Sequence, residues 1–282
     1  MFIFSHNKQF VKKKIMSVSC VISLALPSIR TLTDSIKYLT VQEDGVRIDL
    51  RGDERYAEVR LTCVGILQRS YLEVVLRNGV TEKRLEIGYG NDVHKEGFPI
   101  VVHGLLLSRV LRLFNGYEPV MLELGSDLTS VFLHTVDRER WARLGVHHDL
   151  GPLLTVAHDI SVFHNIPSIP DFCHSVQVAG SSHGNMCSVV LAFDDMHCFI
   201  EFSAKDVKAS VRIDGSRLQH RYEGQVGVLE LSAFGEFVSR ANDCATLSVG
   251  FGSSGLAAFQ LKWNQPPSSR AESIAYLYFC TA

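Results

Sequence analysis

The sequence predicts an α+β fold with antiparallel sheets, assembled from four copies of one unit. The same order recurs four times along the chain: an apolar helical stretch, a strand, a tight polar turn and a second strand. Apolar residues in the helical stretches recur at helical spacing. The turns contain Gly, Asp, Asn or Ser, residues that tolerate positive φ or bond their own backbone. Four such units predict two similar domains with two helices each.

The elements follow in order along the chain. The helical stretches are PSIRTLTDSIKYL, GLLLSRVLRLF, IPDFCHSVQVA and SAFGEFVSRAN. The strand pairs after them are TVQ with VRIDL, PVMLEL with LTSVFLHTV, MCSVVLAF with HCFIEFSA, and TLSVGF with LAAFQLKW. A further strand leads into the first, second and fourth helices: VSCVISLA, FPIVVH and GVLEL. For the third helix, ISVFHN is the only nearby candidate.

The start and the buried face of the helices are also predicted. Pro27 and Ser232 suit the first turn of a helix or the position just before it. Apolar stripes that we expect to face the core are Ile29, Leu32, Ile36 and Leu39 on the first helix, Leu106, Val110 and Leu113 on the second, and Phe234, Phe237, Val238 and Ala241 on the fourth.

Composition limits the class of protein. With 282 residues, 46% of them hydrophobic and 21% charged, the chain can form a sizeable core. The net charge of -2 excludes a generally basic nucleic-acid binder but allows a local basic face. No apolar run reaches the length of a membrane span. The seven cysteines are odd in number, lack a C-x-x-C pair and lie partly in apolar runs, so we expect free thiols and a reducing compartment.

The N-terminal segment resembles a secretory signal, because three lysines at 12–14 precede an apolar run over 15–26. That run mostly alternates in polarity, which is typical of a strand, and the chain has no N-x-S/T acceptor. We therefore expect the folded part to begin near Met16 and residues 1–15 to be a flexible basic extension.

Two glycine motifs resemble functional loops. Residues 250–255 match G-x-G-x-x-G, but a strand-like segment follows where a dinucleotide site needs a helix. Residues 180–184 match G-x-S-x-G with Ser182 at the nucleophile position, but a strand again follows where a nucleophile elbow needs a helix. A hairpin loop and a polar loop are the favoured interpretations.

Histidines and carboxylates do not form a metal or acid–base pattern. The spacing of His147, His148, Asp149, His158, Asp159, His164, Cys173 and His174 matches no zinc template. The pairs Glu43–Asp44 and Asp194–Asp195 lie in predicted turns, where such residues form turns. We therefore predict no catalytic residues, no metal and no cofactor.

Basic residues lie on the predicted helices away from the apolar stripes. Acids are sparse there: Asp34 on the first helix, Glu236 on the fourth and none on the second. The third helix has only His174. We predict contacts to phosphates, without reading of bases, by Arg30, Lys37, Arg109, Arg112 and Arg240.

The pattern resembles the sliding-clamp family, whose eukaryotic members include proliferating-cell nuclear antigen (PCNA). The segments that carry the resemblance are LTVQEDGVRIDL, HCFIEFSAKDVKASVRI and the ending GVLELSAFGEFVSRANDCATLSVGF…SIAYLYFCTA. The resemblance implies a DNA-clamp fold of two similar domains, each of two strand–helix–strand units. Antiparallel sheets would form the outside of a ring, and helices would line its central channel. The domains expected are 16–163 and 164–282.

Within that family the chain is most similar to the Hus-one type of the checkpoint clamp, the nine-one-one complex. The segment LLTVAHDISV, through His158, Asp159 and Ile160, carries this similarity. The resemblance implies a non-catalytic subunit of a heterotrimer with Rad-nine and Rad-one type partners. It also implies a clamp loader, double-stranded DNA bound without sequence preference, no membrane, a nuclear location, and a role in the DNA-damage checkpoint and repair.

Some alternatives stay open at this point. The segment ISVFHN either opens the second domain, with a linker at 137–152, or closes the first. A homotrimeric, PCNA-like processivity clamp is the nearest alternative function. A small α+β hydrolase that uses Ser182 is the alternative from another class.

Deletion of residues 1–15 is expected to leave the melting temperature nearly unchanged, because a lysine-rich polar stretch separates Phe2, Ile3 and Phe4 from Met16. Calorimetry of the full and shortened chains checks this. A large drop in Tm on deletion would show that the segment packs against the folded body.

Overall fold

Four helices and seventeen strands make up the described part of a computed structural model of the chain. The helices are α1 (Leu26–Leu39), α2 (Gly104–Leu113), α3 (Ile169–Gly180) and α4 (Val228–Arg240). The structure describes residues 19–24, 26–40, 45–52, 57–64, 70–77, 80–86, 98–117, 120–124, 129–147, 160–182, 184–193, 197–214, 221–241, 245–253, 255–263 and 272–281. The predicted extension at 1–15 lies outside these residues.

The strands divide between the two halves of the chain. The first half contains β1 (Ser19–Leu24), β2 (Gly45–Gly52), β3 (Ala57–Val64), β4 (Ser70–Arg77), β5 (Val80–Glu86), β6 (Phe98–His103), β7 (Val120–Leu124), β8 (Ser130–Thr135) and β9 (Trp141–His147). The second half contains β10 (Phe163–Ile166), β11 (Met186–Phe193), β12 (Cys198–Ala204), β13 (Val207–Ile213), β14 (Tyr222–Gly227), β15 (Ala245–Phe251), β16 (Leu256–Trp263) and β17 (Glu272–Thr281).

These elements form four units, each with a leading strand, a helix and three further strands. The units begin at β1, β6, β10 and β14, and β5 is an addition to the first. The predicted α+β class and the fourfold order are confirmed. The ending SIAYLYFCTA, expected to contain a final strand, forms β17. In the first unit VRIDL lies in β2, which pairs with β3 and β6, so its predicted pairing with TVQ is wrong. The third strands β4, β9 and β13 were not predicted, because the sequence pattern was followed only as far as the first hairpin.

Within each half, the two units exchange their leading strands. In the first half β1 pairs with β7, and β6 pairs with β2. In the second half β10 pairs with β15, and β14 pairs with β11. All of these pairings are antiparallel, as expected where helices cover one face of the sheets. The two halves therefore repeat the same architecture.

The two halves join through β4 and β17, which pair antiparallel from Ser70 opposite Phe279 to Arg77 opposite Glu272. We call this pairing the internal joint. Beneath it, the core continues from one half to the other, since Leu72 of β4 and Leu277 of β17 belong to the same apolar cluster as the buried faces of the helices. The internal joint therefore connects the two halves through a strand pairing and a shared apolar core.

The outward face of the internal joint holds a polar cluster. The Arg60 guanidinium lies 2.9 Å from a Glu73 carboxylate oxygen, and the Tyr278 hydroxyl donates to the other oxygen at 3.2 Å. Burial, followed by the nearby Glu73 carboxylate, raises the pKa of Tyr71 and Tyr278 well above the usual range. Both tyrosines therefore stay protonated at physiological pH, and Tyr278 is the one that donates to Glu73.

The helices meet at the same joint. The Tyr38 ring of α1 stacks on Phe237 of α4 with centroids 4.9 Å apart, and a tilted contact joins it to Phe234 at 5.8 Å. The Tyr38 hydroxyl donates to the Tyr276 carbonyl of β17 at 3.3 Å. One tyrosine of the first half thus touches both the helix and the strand that the second half brings to the joint.

Two details of the helices differ from the prediction. Helix α4 begins at Val228 rather than Ser232, so most of GVLEL is helix and not strand. The short segment VLEL fits both the strand period and the helix period, and burial of Val228, Leu231 and Phe234 favours the helix. The predicted stripe of α2 is also wrong. Leu107 and Leu111 are buried instead, while Leu106 and Leu113 are 45% and 62% exposed.

The segment between the halves includes the end of β9 and the start of β10. Residues 141–147 form β9, which pairs with β8, so a linker over 137–152 is wrong. Strand β10 contains Phe163, His164 and Asn165, the second half of ISVFHN, and pairs with β15, as an opening strand of the second half does. The predicted domain limits of 16–163 and 164–282 stay a prediction.

The substitution Tyr38→Ala is expected to lower the free energy of unfolding by about 3–5 kcal/mol, because it removes a buried ring from the joint. Urea unfolding measures the loss. Leu229→Ala on α4 is the control, since Leu229 is 63% exposed and its removal should change stability by about 0.5 kcal/mol or less. Equal losses in the two variants would contradict a packed helix joint.

Candidate nucleic-acid interface

The four helices lie side by side in the order α2, α1, α4, α3, with the sheets behind them. This order follows from the topology, because α1 and α2 cover the first half, α3 and α4 cover the second, and α1 meets α4 at the internal joint. The side of the helices that faces away from the core forms one continuous surface. We call it the helix face.

Helix α2 contributes two exposed arginines to the helix face. Arg109 and Arg112 are one turn apart, and neither forms an ion pair within the described part of the structure. Arg112 lies in the last turn of α2, where the helix dipole favours a cation. These two guanidinium groups are the most available positive charges that the sequence analysis identified.

Two further predicted cations are brought together at the internal joint, where carboxylates offset them. The Lys37 ammonium lies 3.6 Å from an Asp34 carboxylate oxygen. One Arg240 nitrogen lies 3.9 Å from the same oxygen, and another donates to Glu236. Two cations and two carboxylates thus sum to no net charge. Attraction of a phosphate to this part of the helix face is weaker than the sequence alone indicates.

Helix α3 contributes no lysine or arginine. His174 and Asp171 are both exposed on it. Arg30 lies in α1, but its side chain is outside the described part of the structure. The assignment of these five basic residues to DNA therefore stays a prediction, with its positive charge concentrated on α2.

The two glycine motifs lie in turns. The G-x-G-x-x-G segment is the hairpin between β15 and β16, where the Gly252 amide donates to the Leu256 carbonyl at 2.7 Å. The G-x-S-x-G segment connects the end of α3 to β11, which reverses the strand-to-helix order of a nucleophile elbow. The Ser182 hydroxyl accepts a hydrogen bond from the Gly184 amide at 3.2 Å. Both segments are turn structures.

A groove of about 570 Å³ lies between α3 and α4. The helices approach closely at two glycines: a Cβ at Gly180 would stand 2.5 Å from the Ser232 hydroxyl oxygen, and one at Gly235 would stand 2.7 Å from a Val176 methyl carbon. Cys173 borders the groove, and burial raises the pKa of its thiol, which makes it a poor nucleophile at neutral pH.

No group of three metal-ligating side chains occurs among the described residues. His148, Asp149, His158, Asp159, Glu43–Asp44 and Asp194–Asp195 lie outside them.

Two models of one family match the sequence. They are described as the N-terminal and C-terminal domains of a domain of unknown function, DUF7881, and they match residues 17–150 and 151–275. The chain belongs to the DUF7881 family. No curated protein matches the sequence.

Two solved structures of similar fold are PCNA proteins. PCNA from Thermococcus kodakaraensis matches with a TM-score of 0.65 and 11% identity, over 93% of this chain and 100% of that one. Proliferating Cellular Nuclear Antigen from Entamoeba histolytica matches with a TM-score of 0.64 and 9% identity, over 94% of this chain and 99% of that one. The DUF7881 chain therefore has a PCNA-like clamp fold, as the sequence pattern predicted.

Strands β9 and β13 are among the described strands of the DUF7881 chain that pair along one side only for most or all of their length, and the sequence analysis missed both. Strand β13 pairs only with β12 among the described strands. Strand β9 pairs with β8 and meets β6 only at Val146 and His147, which leaves 141–145 with one free side in the described structure. Next to β9, Arg140 donates to the Leu113 carbonyl at 3.3 Å and lies over the Tyr117 ring. This contact fixes the end of α2 against the β9 edge.

No helix in the described structure combines the length and the apolar character that crossing a bilayer requires.

The substitution Asp34→Asn in the DUF7881 chain is expected to change the free energy of unfolding by less than about 1 kcal/mol, because ion pairs near the surface contribute little. Urea unfolding checks this. Asp49→Asn is the matched control, since Asp49 is buried beside Arg47 and should cost more. A loss at Asp34 as large as that at Asp49 would contradict an exposed pair.

Proposed function

We propose that the chain is a non-catalytic subunit of a ring-shaped clamp that encircles DNA. The observation that carries this proposal is the clamp fold over nearly the whole chain, with the helices along one side and the sheets along the other. A clamp acts by topology, so it needs a closed ring and a channel surface that tolerates DNA, and it needs no reactive group.

Ring closure would use the two open edges. Strands β9 and β13 are the third strands of the second and third units, while β17 and β4 are the third strands of the fourth and first. The internal joint is therefore an example, within one chain, of the joint that β9 and β13 would form between chains. Open edges pair readily with another strand. Three chains joined in this way would give a ring of six similar halves.

The helix face would line the channel of that ring. Arg109 and Arg112, with Lys37, Arg240 and Arg30, would attract phosphates without contacting bases. Partial neutralisation by Asp34 and Glu236 suits this role, because a clamp must remain able to slide. Binding would be independent of sequence.

We further propose that the ring is the heterotrimeric checkpoint clamp, with this chain as its Hus-one type subunit. Its partners would be chains of the Rad-nine and Rad-one types, with an ATP-driven clamp loader to place the ring on DNA. The role would be in the DNA-damage checkpoint and repair, in the nucleus. The support is the similarity of His158, Asp159 and Ile160 to a strand of that type. Affinity purification of the tagged chain should recover two other clamp-like chains.

A homotrimeric processivity clamp is the second candidate. It is favoured by the fold match to PCNA from two organisms. The mass of the purified chain in solution separates the candidates, because a homotrimer formed by the chain alone would contradict the heterotrimer.

Replacement of Arg30, Lys37, Arg109, Arg112 and Arg240 by Ala is expected to reduce retention of the assembled ring on a closed DNA circle. The reason is weaker phosphate attraction, and the salt slope of binding should fall by about 1 for each phosphate-binding side chain removed. Arg109→Ala with Arg112→Ala should account for most of the effect, since neither arginine is paired to a described carboxylate.

The control carries four Ala substitutions at exposed basic residues away from the helix face and outside strands β9 and β13: Arg138, Lys205, Arg221 and Lys262. It is compared with the helix-face variant that retains Arg30, so both variants lose four positive charges and general electrostatics is held constant. Undiminished retention and an unchanged salt slope in the helix-face variant would contradict the assignment of these residues, whatever the fold.

A further inference from the structure

The strands of the internal joint match each other chemically on their outward face. Ile274 lies opposite Val75, and Tyr276 lies opposite Glu73. The Tyr278 hydroxyl donates to the Glu73 carboxylate at 3.2 Å. Apolar groups meet apolar groups, and a donor meets an acceptor.

The helices of the internal joint also match. The Tyr38 ring stacks on Phe237, which is only 3% exposed. Asp34 of α1 pairs with Arg240 of α4 at 3.9 Å. Each helix therefore supplies an aromatic ring and one member of an ion pair.

The equivalent helix at the β9 edge leaves its apolar residue uncovered. Helices α2 and α4 begin directly after β6 and β14, so alignment of Gly104 with Val228 places Leu113 at the position of Phe237. Leu113 is 62% exposed, in contrast to the buried Phe237. On the same alignment, Gly116 stands at the position of Arg240.

Helix α3, the equivalent helix at the β13 edge, has no large side chain at the position that would face Leu113. Alignment of the first residues of α3 and α1, which also matches Pro170 with Pro27, places Ser181 at the position of Tyr38. It places Gln177 at the position of Asp34. In a ring of identical copies, Leu113 would face a serine and Gly116 would face a glutamine. Neither the stacking contact nor the ion pair would form.

The two open strands carry charge of the same sign. The exposed, outward positions of β9 hold Trp141, Arg143 and His147, and those of β13 hold Lys208 and Arg212. No carboxylate occupies an outward position on either strand. Glu201 on β12 pairs with Lys208 at 2.8 Å and leaves Arg212 unopposed in the described structure. Like charges brought together across an antiparallel pair are destabilising.

From these mismatches we propose that the chain does not close a ring with itself. The edge formed by α2 and β9 takes a clamp-like chain of different sequence, whose facing helix ends in a large apolar side chain and whose facing strand carries carboxylates. Such a partner would cover Leu113 and Trp141 and oppose Arg143. This inference rests on the proposed ring and names the chemistry of the partner at one of its joints.

The test measures the mass of the full chain in solution by light scattering. The wild-type chain should be a monomer. A variant with Lys208→Glu, Arg212→Glu and Ser181→Tyr should self-associate, because its β13 edge would then offer carboxylates to Arg143 and a ring to Leu113. We expect its mean mass to rise about twofold or more, as in cyclic or open assembly through one joint.

The control variant carries Arg221→Glu, Lys262→Glu and Ser161→Tyr, three exposed positions away from both edges. It has the same net charge and should remain a monomer. A wild-type homotrimer would overturn the inference and leave a clamp function intact. Equal mass in the variant and its control would also overturn it. Retention of an assembled ring on circular DNA is a separate measurement, so failure of the clamp function would be seen there.

Discussion

The pairing of β4 with β17 is the interaction on which the rest of the structure depends. The exchanged leading strands hold each half together, whereas the pairing of β4 with β17 is the strand pairing that joins the two halves. It brings α1 beside α4, places Tyr38 against Phe237, and lets one apolar cluster continue through both halves. The polar cluster around Glu73 covers its outward side with an ion pair to Arg60 and a hydrogen bond from Tyr278. Because the pairing is apolar on one face and hydrogen-bonded on the other, it fixes the register of the two strands.

The sequence predicted the repeated architecture well because the signal is local. Three of the four helices start within a residue of their predicted positions, and the leading strands before α1 and α2 are in place. The fourth helix was shortened because GVLEL fits a strand and a helix equally well. The third strands β4, β9 and β13 pair with the strands directly before them and were missed because the pattern was followed only through the first hairpin of each unit. The pairing of β17 with β4, across almost the whole chain, could not be predicted in this way. Long-range pairing leaves no periodic signal in a short window.

The candidate site shows a similar division. Helical spacing places the basic residues of α2 and α4 on the solvent side, so their exposure could be predicted from the sequence. That Asp34 of the first half offsets Arg240 of the second depends on the internal joint, which no local pattern reveals. The exposed Leu113 was assigned to the core for a related reason. Its spacing fits an apolar stripe, but the stripe at Leu107 and Leu111 is the one that faces the sheet. Single exposed apolar residues are common on protein surfaces, so Leu113 supports a covered surface only through its alignment with the buried Phe237.

The internal joint differs from the proposed joints between chains in one respect that has kinetic consequences. Strands β4 and β17 belong to the same polypeptide, so they re-pair at an effective concentration set by the chain and not by how much protein is present. A joint through β9 or β13 has no such tether. On dilution, a ring built in this way would part between subunits while every subunit stayed whole. Its lifetime on DNA would therefore be governed by the dissociation rate of the weakest untethered joint.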